Sequence, residues 1–275
     1  MGPGDDLAER GASVVRAAST ARPEIAIILG SGLGPAVDGM DIEAEIAFDD
    51  LPGFPEPTVP GHAGRLRIGR LAGAPVAVFL GRIHHYEGHP MPLVTLPARL
   101  AAAIGLRTLV VTASVGGLDP AVEPGTLVVG KDHLSFLGES PLRGWRDAAG
   151  TPAFVDLTDA YPRDLAELAL EALRAEGMPP VRAVYASMPG PAYETPAEIE
   201  FLRRSGATVV GMSVVPEVTA AAALGLRCLG IYCVTNAVGK GVSHTEVQEV
   251  AATSAGRLGA VLERLAPRLN GKEHR

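Results

Sequence analysis

An apolar run at 25–29 opens directly into Gly30-Ser31-Gly32-Leu33-Gly34-Pro35. A strand feeding a glycine-rich turn presents N–H groups that can converge on an anion, so a phosphate cradle is one reading and a plain tight turn the other. A dinucleotide fingerprint is disfavoured, because its sixth position needs a glycine for close helix packing and Pro35 stands there. Downstream, VPGHAGR (59–65) and GRIHHYEGHP (81–90) gather four of the seven histidines beside Arg82 and Glu87. A metal site fits poorly: no cysteine joins the group, and Gly88 and Pro90 keep His85 and His89 from sharing a helical face. An oxyanion pocket fits better, with Arg82 as a planar donor fork and His62 and His84 adding donors of tunable charge. Loop histidines without chemistry are the bland alternative.

Three later segments carry further candidates. In PGPAYETPAE (189–198), Tyr193 can stack on a flat ring while Glu194 accepts from ring N–H groups. The competing view makes Thr195 a helix cap and Glu194 a charge favourable to the helix dipole. VGMSVVPEV (210–218) is a strand end entering a helix, where the Ser213 hydroxyl can point at an anion, while Met212 alone suggests core packing. Thr235 and Asn236 end a strand before GKGVSH (239–244), a strand-end amide beside a glycine-rich loop that suits a purine edge or simple turn chemistry.

These residues need a frame. Short aliphatic runs at 25–29, 76–80, 109–112, 127–129, 181–185, 208–210 and 229–235 predict strands. Helical spacing at 93–104, 164–176, 196–205, 216–224 and 245–265 alternates with them, which predicts α/β layers in one domain preceded by a helical segment at 1–22. The 135–158 stretch, holding the only tryptophan, predicts an active-site or interface loop. A chain of 275 residues, 47% apolar, can bury a large core. Its net charge of −7 argues against a sequence-independent nucleic-acid binder, yet a small anion needs only one arginine and a few N–H groups. The acidic start lacks a signal peptide's apolar segment, and the stretch 208–238 is broken by Pro216, Glu217 and Arg227. A cytoplasmic protein without a membrane span is expected. Cys228 and Cys233 in that stretch suggest reduced core thiols.

In this order, GSGLG, VPGHAGR, GRIHHYEG, VGGLDP, PGPAYETPAE, GMSVVPEV, VTNAVG and SHTEV resemble the trimeric purine nucleoside phosphorylases, a family shared with methylthioadenosine phosphorylases, over residues 25 to 265. The resemblance implies a central mixed sheet flanked by helices and phosphorolysis of inosine or guanosine without a cofactor, phosphate being a co-substrate. For phosphate it implies Ser31, His62, Arg82, His84, Ser213 and the backbone around Ser114. For ribose it implies Tyr86, Tyr185, Met212 and His244, and for the base Tyr193, Glu194 and Asn236. His84, Glu194, Asn236 and His244 are the expected catalytic residues, the 239–243 loop a lid, and Phe154 an aromatic closing a neighbouring subunit's pocket in a homotrimer. Asn236 and His244 favour this activity over the methylthioadenosine branch, which carries Asp and a smaller residue there. One departure stands out: Ala113-Ser114 replaces the common Asn-Ala. A nucleoside- or phosphate-binding module without turnover is therefore the alternative from another class.

Overall fold

The computed structural model describes residues 2, 4–56, 58–59, 62–239 and 244–269, His244 by its backbone alone. The described strands are β1 (Ile25–Ile28), β2 (Asp41–Ala47), β3 (Arg65–Leu71), β4 (Ala74–Leu80), β5 (Thr108–Gly117), β6 (Leu127–Ser135), β7 (Val181–Ser187), β8 (Val209–Gly211) and β9 (Arg227–Ala237). They form one sheet in the order β2-β3-β4-β1-β5-β8-β7-β6-β9, and β9 also pairs with β5. That last pairing closes β5, β8, β7, β6 and β9 into a ring of strands. The sheet is mixed: β1 runs parallel to β4 and β5, and β5 parallel to β9, whereas β2–β3, β3–β4, β5–β8 and β6–β9 are antiparallel.

Every aliphatic run falls in a strand, because central strands are buried on both faces and read as continuous apolar segments. β2 and β3 escape that pattern. They form the outer antiparallel pair, whose alternate positions carry charge, and Glu45 bridges Arg65 at 3.1 Å and Arg67 at 2.7 Å across them.

Helices cover both faces. Helices α1 (Asp5–Ala18), α2 (Met91–Val94), α3 (Leu96–Ala103), α4 (Arg163–Ala175), α5 (Pro196–Arg204), α6 (Val215–Ala223) and α7 (His244–Leu269) are described. Residues of α1, α3 and α6 pack into one apolar layer with Phe48, Phe54 and Phe79, and those of α4 and α7 into the other. The predicted 93–104 helix is split at Thr95, where ψ opens to 0° and the chain turns from α2 into α3. Cys228 and Cys233 are free and buried. Trp145 in the 135–158 stretch is 5% exposed and lies under the Arg99 guanidinium at 4.1 Å, so this part of the loop is pinned to the core. Among the described residues no helix is long and apolar enough to cross a membrane.

Candidate active site

Residues at and beyond the carboxyl ends of six strands meet around one cleft. Ser31 follows β1, Arg82 and His84 follow β4, Ser114 lies in β5, Met212 and Ser213 follow β8, and Asn236 lies in β9. Crevices at strand carboxyl ends are where α/β sheets collect polar groups from several loops at once.

One end of the cleft is rich in donors. Arg82 is 1% exposed; its Nε donates to Glu217 Oε1 at 2.8 Å and its Nη1 to the Thr112 carbonyl at 2.7 Å. Its Nη2 is buried without a hydrogen-bond partner. Glu217 is equally buried, so the pair fixes the guanidinium in a water-poor wall. Ser213 reaches the cleft because Val214 takes φ 68°, ψ −58°, and Val215 N–H donates to the Ser213 carbonyl at 2.7 Å. This strained γ-turn swings the chain from β8 into α6.

The glycines of the 30–34 loop are needed for closeness as well as for turning. A Cβ on Gly30 would lie 2.8 Å from Ala113 Cα, and Gly32 has φ 75°. The Ser114 hydroxyl donates to the Ser31 carbonyl at 2.9 Å, so the residue beside Ala113 ties the loop to β5. His62 stands behind Ser31 and not on the cleft surface. Its Nδ1 accepts from Arg82 N–H at 3.0 Å, which puts the proton of a neutral ring on Nε2, 2.8 Å from Ser31 Oγ. With Oγ accepting from His62, the Ser31 hydroxyl proton is available to an acceptor in the cleft.

His84 is held by Glu87, a partner the sequence displayed without a role. Glu87 Oε1 accepts from His84 N–H at 2.9 Å and pairs with His84 Nδ1 at 3.0 Å, while Oε2 accepts from Thr58 N–H and its hydroxyl. Burial opposes the Glu87 charge, but the hydrogen bonds from His84 and Thr58 outweigh it and hold the carboxyl well below the ordinary range. Burial, aided by the Arg82 charge and opposed by Glu87, lowers the His84 pKa. His84 stacks on Tyr86 at 4.6 Å, and Tyr86 continues the cleft wall towards Met212.

Tyr193, Glu194 and Asn236 also line the cleft. The 189–198 segment both caps a helix and lines the cleft. Thr195 caps α5 in a reciprocal box with Glu198, and Pro196 opens the helix, leaving Glu194 to face the cleft. Burial, with the neighbouring Glu198 charge, pushes the Glu194 carboxyl up. Val115, Gly116, Val238 and Val247 supply an apolar wall that sequence reasoning did not single out.

Besides His62, two expected residues, Tyr185 and Phe154, do not line this cleft. Tyr185 is fully buried and not on the cleft; its hydroxyl accepts from Ser213 N–H at 3.2 Å, so the expected ribose contact is corrected to a support behind Ser213. Burial pushes its phenol up to about 12, as suits a neutral buttress. Phe154 is 95% exposed and does not line this chain's cleft. The His244 side chain and residues 240–243 lie outside the described residues.

A model of the phosphorylase superfamily matches residues 24–267. Purine nucleoside phosphorylase 1 of Bacillus subtilis (strain 168) is 41% identical over 249 residues, 89% of this chain and 92% of the relative. Among solved structures, a schistosome purine nucleoside phosphorylase in complex with hypoxanthine superposes with a TM-score of 0.88 at 32% identity over 100% of both chains. The Schistosoma mansoni enzyme in complex with adenosine gives the same TM-score, identity and coverage. This chain belongs to the phosphorylase superfamily, within which its relatives are the purine nucleoside phosphorylases.

Proposed function

We propose that this chain cleaves 6-oxopurine nucleosides, inosine and guanosine, with inorganic phosphate, releasing the base and α-ribose 1-phosphate in purine salvage. The observation that carries the reading is the buried, unpartnered Nη2 of Arg82 in a wall shared with Ser31, His84 and Ser213. A buried N–H without an acceptor is costly, and a phosphate oxygen at that position relieves it.

Cleavage of the N-glycosidic bond builds positive charge on the sugar and negative charge on the departing purine. Phosphate held by Ser31, Arg82, His84, Ser114 and Ser213 faces the anomeric carbon as nucleophile and as counter-charge, so the enzyme needs neither a covalent nucleophile nor a cofactor. Tyr86 and Met212 flank the ribose. Tyr193 covers the base, Glu194 accepts from N1–H, and Asn236 donates to N7 as charge collects there. By the family resemblance His244 orients the 5′-hydroxyl and the 239–243 loop excludes water.

Phe154, exposed here, completes a neighbour's site in a homotrimer in the cytoplasm. Incubation with inosine, guanosine and adenosine, each with and without phosphate, tests the whole reading. Base release from the first two only when phosphate is present is expected. Equal release without phosphate overturns the nucleophile, and binding without release supports the non-catalytic module.

A further inference from the structure

Consecutive residues of a strand face opposite sides of the sheet. Thr235 and Asn236 break that rule, for the Thr235 hydroxyl lies 3.1 Å from Asn236 Oδ1. The cause is a register shift between β5 and β9: Val115 pairs with Val234 and Gly116 with Asn236, leaving Thr235 as an extra, unpaired residue. Such a bulge re-aims side chains. Here it places the Thr235 hydroxyl, in a residue only 4% exposed, beside the Asn236 amide.

That hydroxyl has one proton and two acceptors in reach. Asn236 Oδ1 lies at 3.1 Å and the Val115 carbonyl at 3.2 Å. Given to Oδ1, the proton fixes the amide oxygen and turns Nδ2 outward as a donor. Given to Val115, it leaves a lone pair against Oδ1, which is repulsive until the amide rotates to offer Nδ2 to Thr235 and Oδ1 to the cleft. The two hydroxyl positions therefore select the two faces of Asn236, a donor that suits a 6-oxopurine and an acceptor that suits a 6-amino group.

We propose that Thr235 is a specificity-determining positioning residue: through its bond to Oδ1 at the bulge it holds Asn236 donor-outward and so favours 6-oxo over 6-amino purine nucleosides. The inference rests on the phosphorolysis reading and on Asn236 facing the base.

Its test is a double-mutant cycle of Thr235→Val with Asn236→Ala, measuring kcat/KM for inosine and adenosine and the KM for phosphate. Thr235→Val keeps the β-branched shape and removes the proton. The inosine-to-adenosine ratio is expected to fall about ten-fold, the effect of one lost orienting hydrogen bond, with the phosphate KM unchanged. Thr235→Ser should restore most of the ratio. In the Asn236→Ala background Thr235→Val should leave the ratio unmoved, because the residue acts through the amide. A ratio unchanged by Thr235→Val, or an equal change in both backgrounds, overturns the proposal. Thr235→Ala carries the same expectation if the valine variant does not fold. Absence of phosphate-dependent inosine cleavage by the wild type would instead refute the underlying reading, a separate outcome read in the same assay.

Discussion

Replacing Arg82 by methionine separates the stabilising and the catalytic parts of one side chain. Arg82→Met strands the Glu217 carboxylate, which is 1% exposed with Oε2 already unpartnered. Breaking a buried pair in this way costs about 3–5 kcal/mol. At about 2–4 °C per kcal/mol for a chain approaching this length, the melting temperature should drop by about 6–20 °C. Adding Glu217→Gln removes the stranded charge and should recover most of that loss. Phosphate use should not recover. Two charge-assisted hydrogen bonds to the anion, about 1.5–3 kcal/mol each, correspond to a loss of about 10²–10⁴ in kcat/KM for phosphate. Thermal melts and initial rates with varied phosphate at saturating inosine measure both quantities. A double variant that regains phosphate kinetics together with stability would show that Arg82 only supports the fold and that the anion binds elsewhere.

Other perturbations probe other contacts. Because its pKa is depressed below the ordinary 4.5, the Glu87 carboxylate contributes stability that is fully present above about pH 4.5 and lost as pH falls through the folded value. The melting-temperature gap between wild type and Glu87→Gln should therefore shrink below that pH; a constant gap refutes the pairing. Glu87→Gln also removes an influence that raises the His84 pKa, so the alkaline limb of kcat/KM for phosphate, where His84 loses the proton it offers the anion, should move to lower pH. An unmoved limb would mean that another group titrates there. Asn236→Asp, able to accept from N6 and when protonated to donate to N7, should shift preference towards adenosine, with the inosine-to-adenosine ratio as readout; a wild type that already cleaves both equally contradicts the base assignment. Light scattering should give a trimer, and Phe154→Ala should raise the nucleoside KM more than the phosphate KM; a fully active monomer removes the shared site.

Much of this architecture is legible in the chain because buried strands are continuous apolar runs and the glycine-rich turn follows one of them directly. The edge pair β2–β3 is not, since its charged alternation reads as loop until Glu45 is seen between Arg65 and Arg67. The cleft residues sit at strand ends, where single-residue chemistry stands out against apolar runs, and most of them were named from sequence. Their supports were not. Glu217 is 135 residues from Arg82, and only folding shows that this carboxylate lies behind that guanidinium. Thr235 gains its place from a bulge, a register property of two strands that neither strand displays alone. Tyr185, an aromatic in a strand, had the type expected of a ribose contact, but its position within β7 places it behind Ser213.

The most direct test of the central claim is the identity of the sugar product. With inosine and phosphate, phosphorus NMR should show ribose 1-phosphate forming in step with hypoxanthine release, and neither product without phosphate. Hypoxanthine accompanied by free ribose, at a rate independent of phosphate, would contradict it.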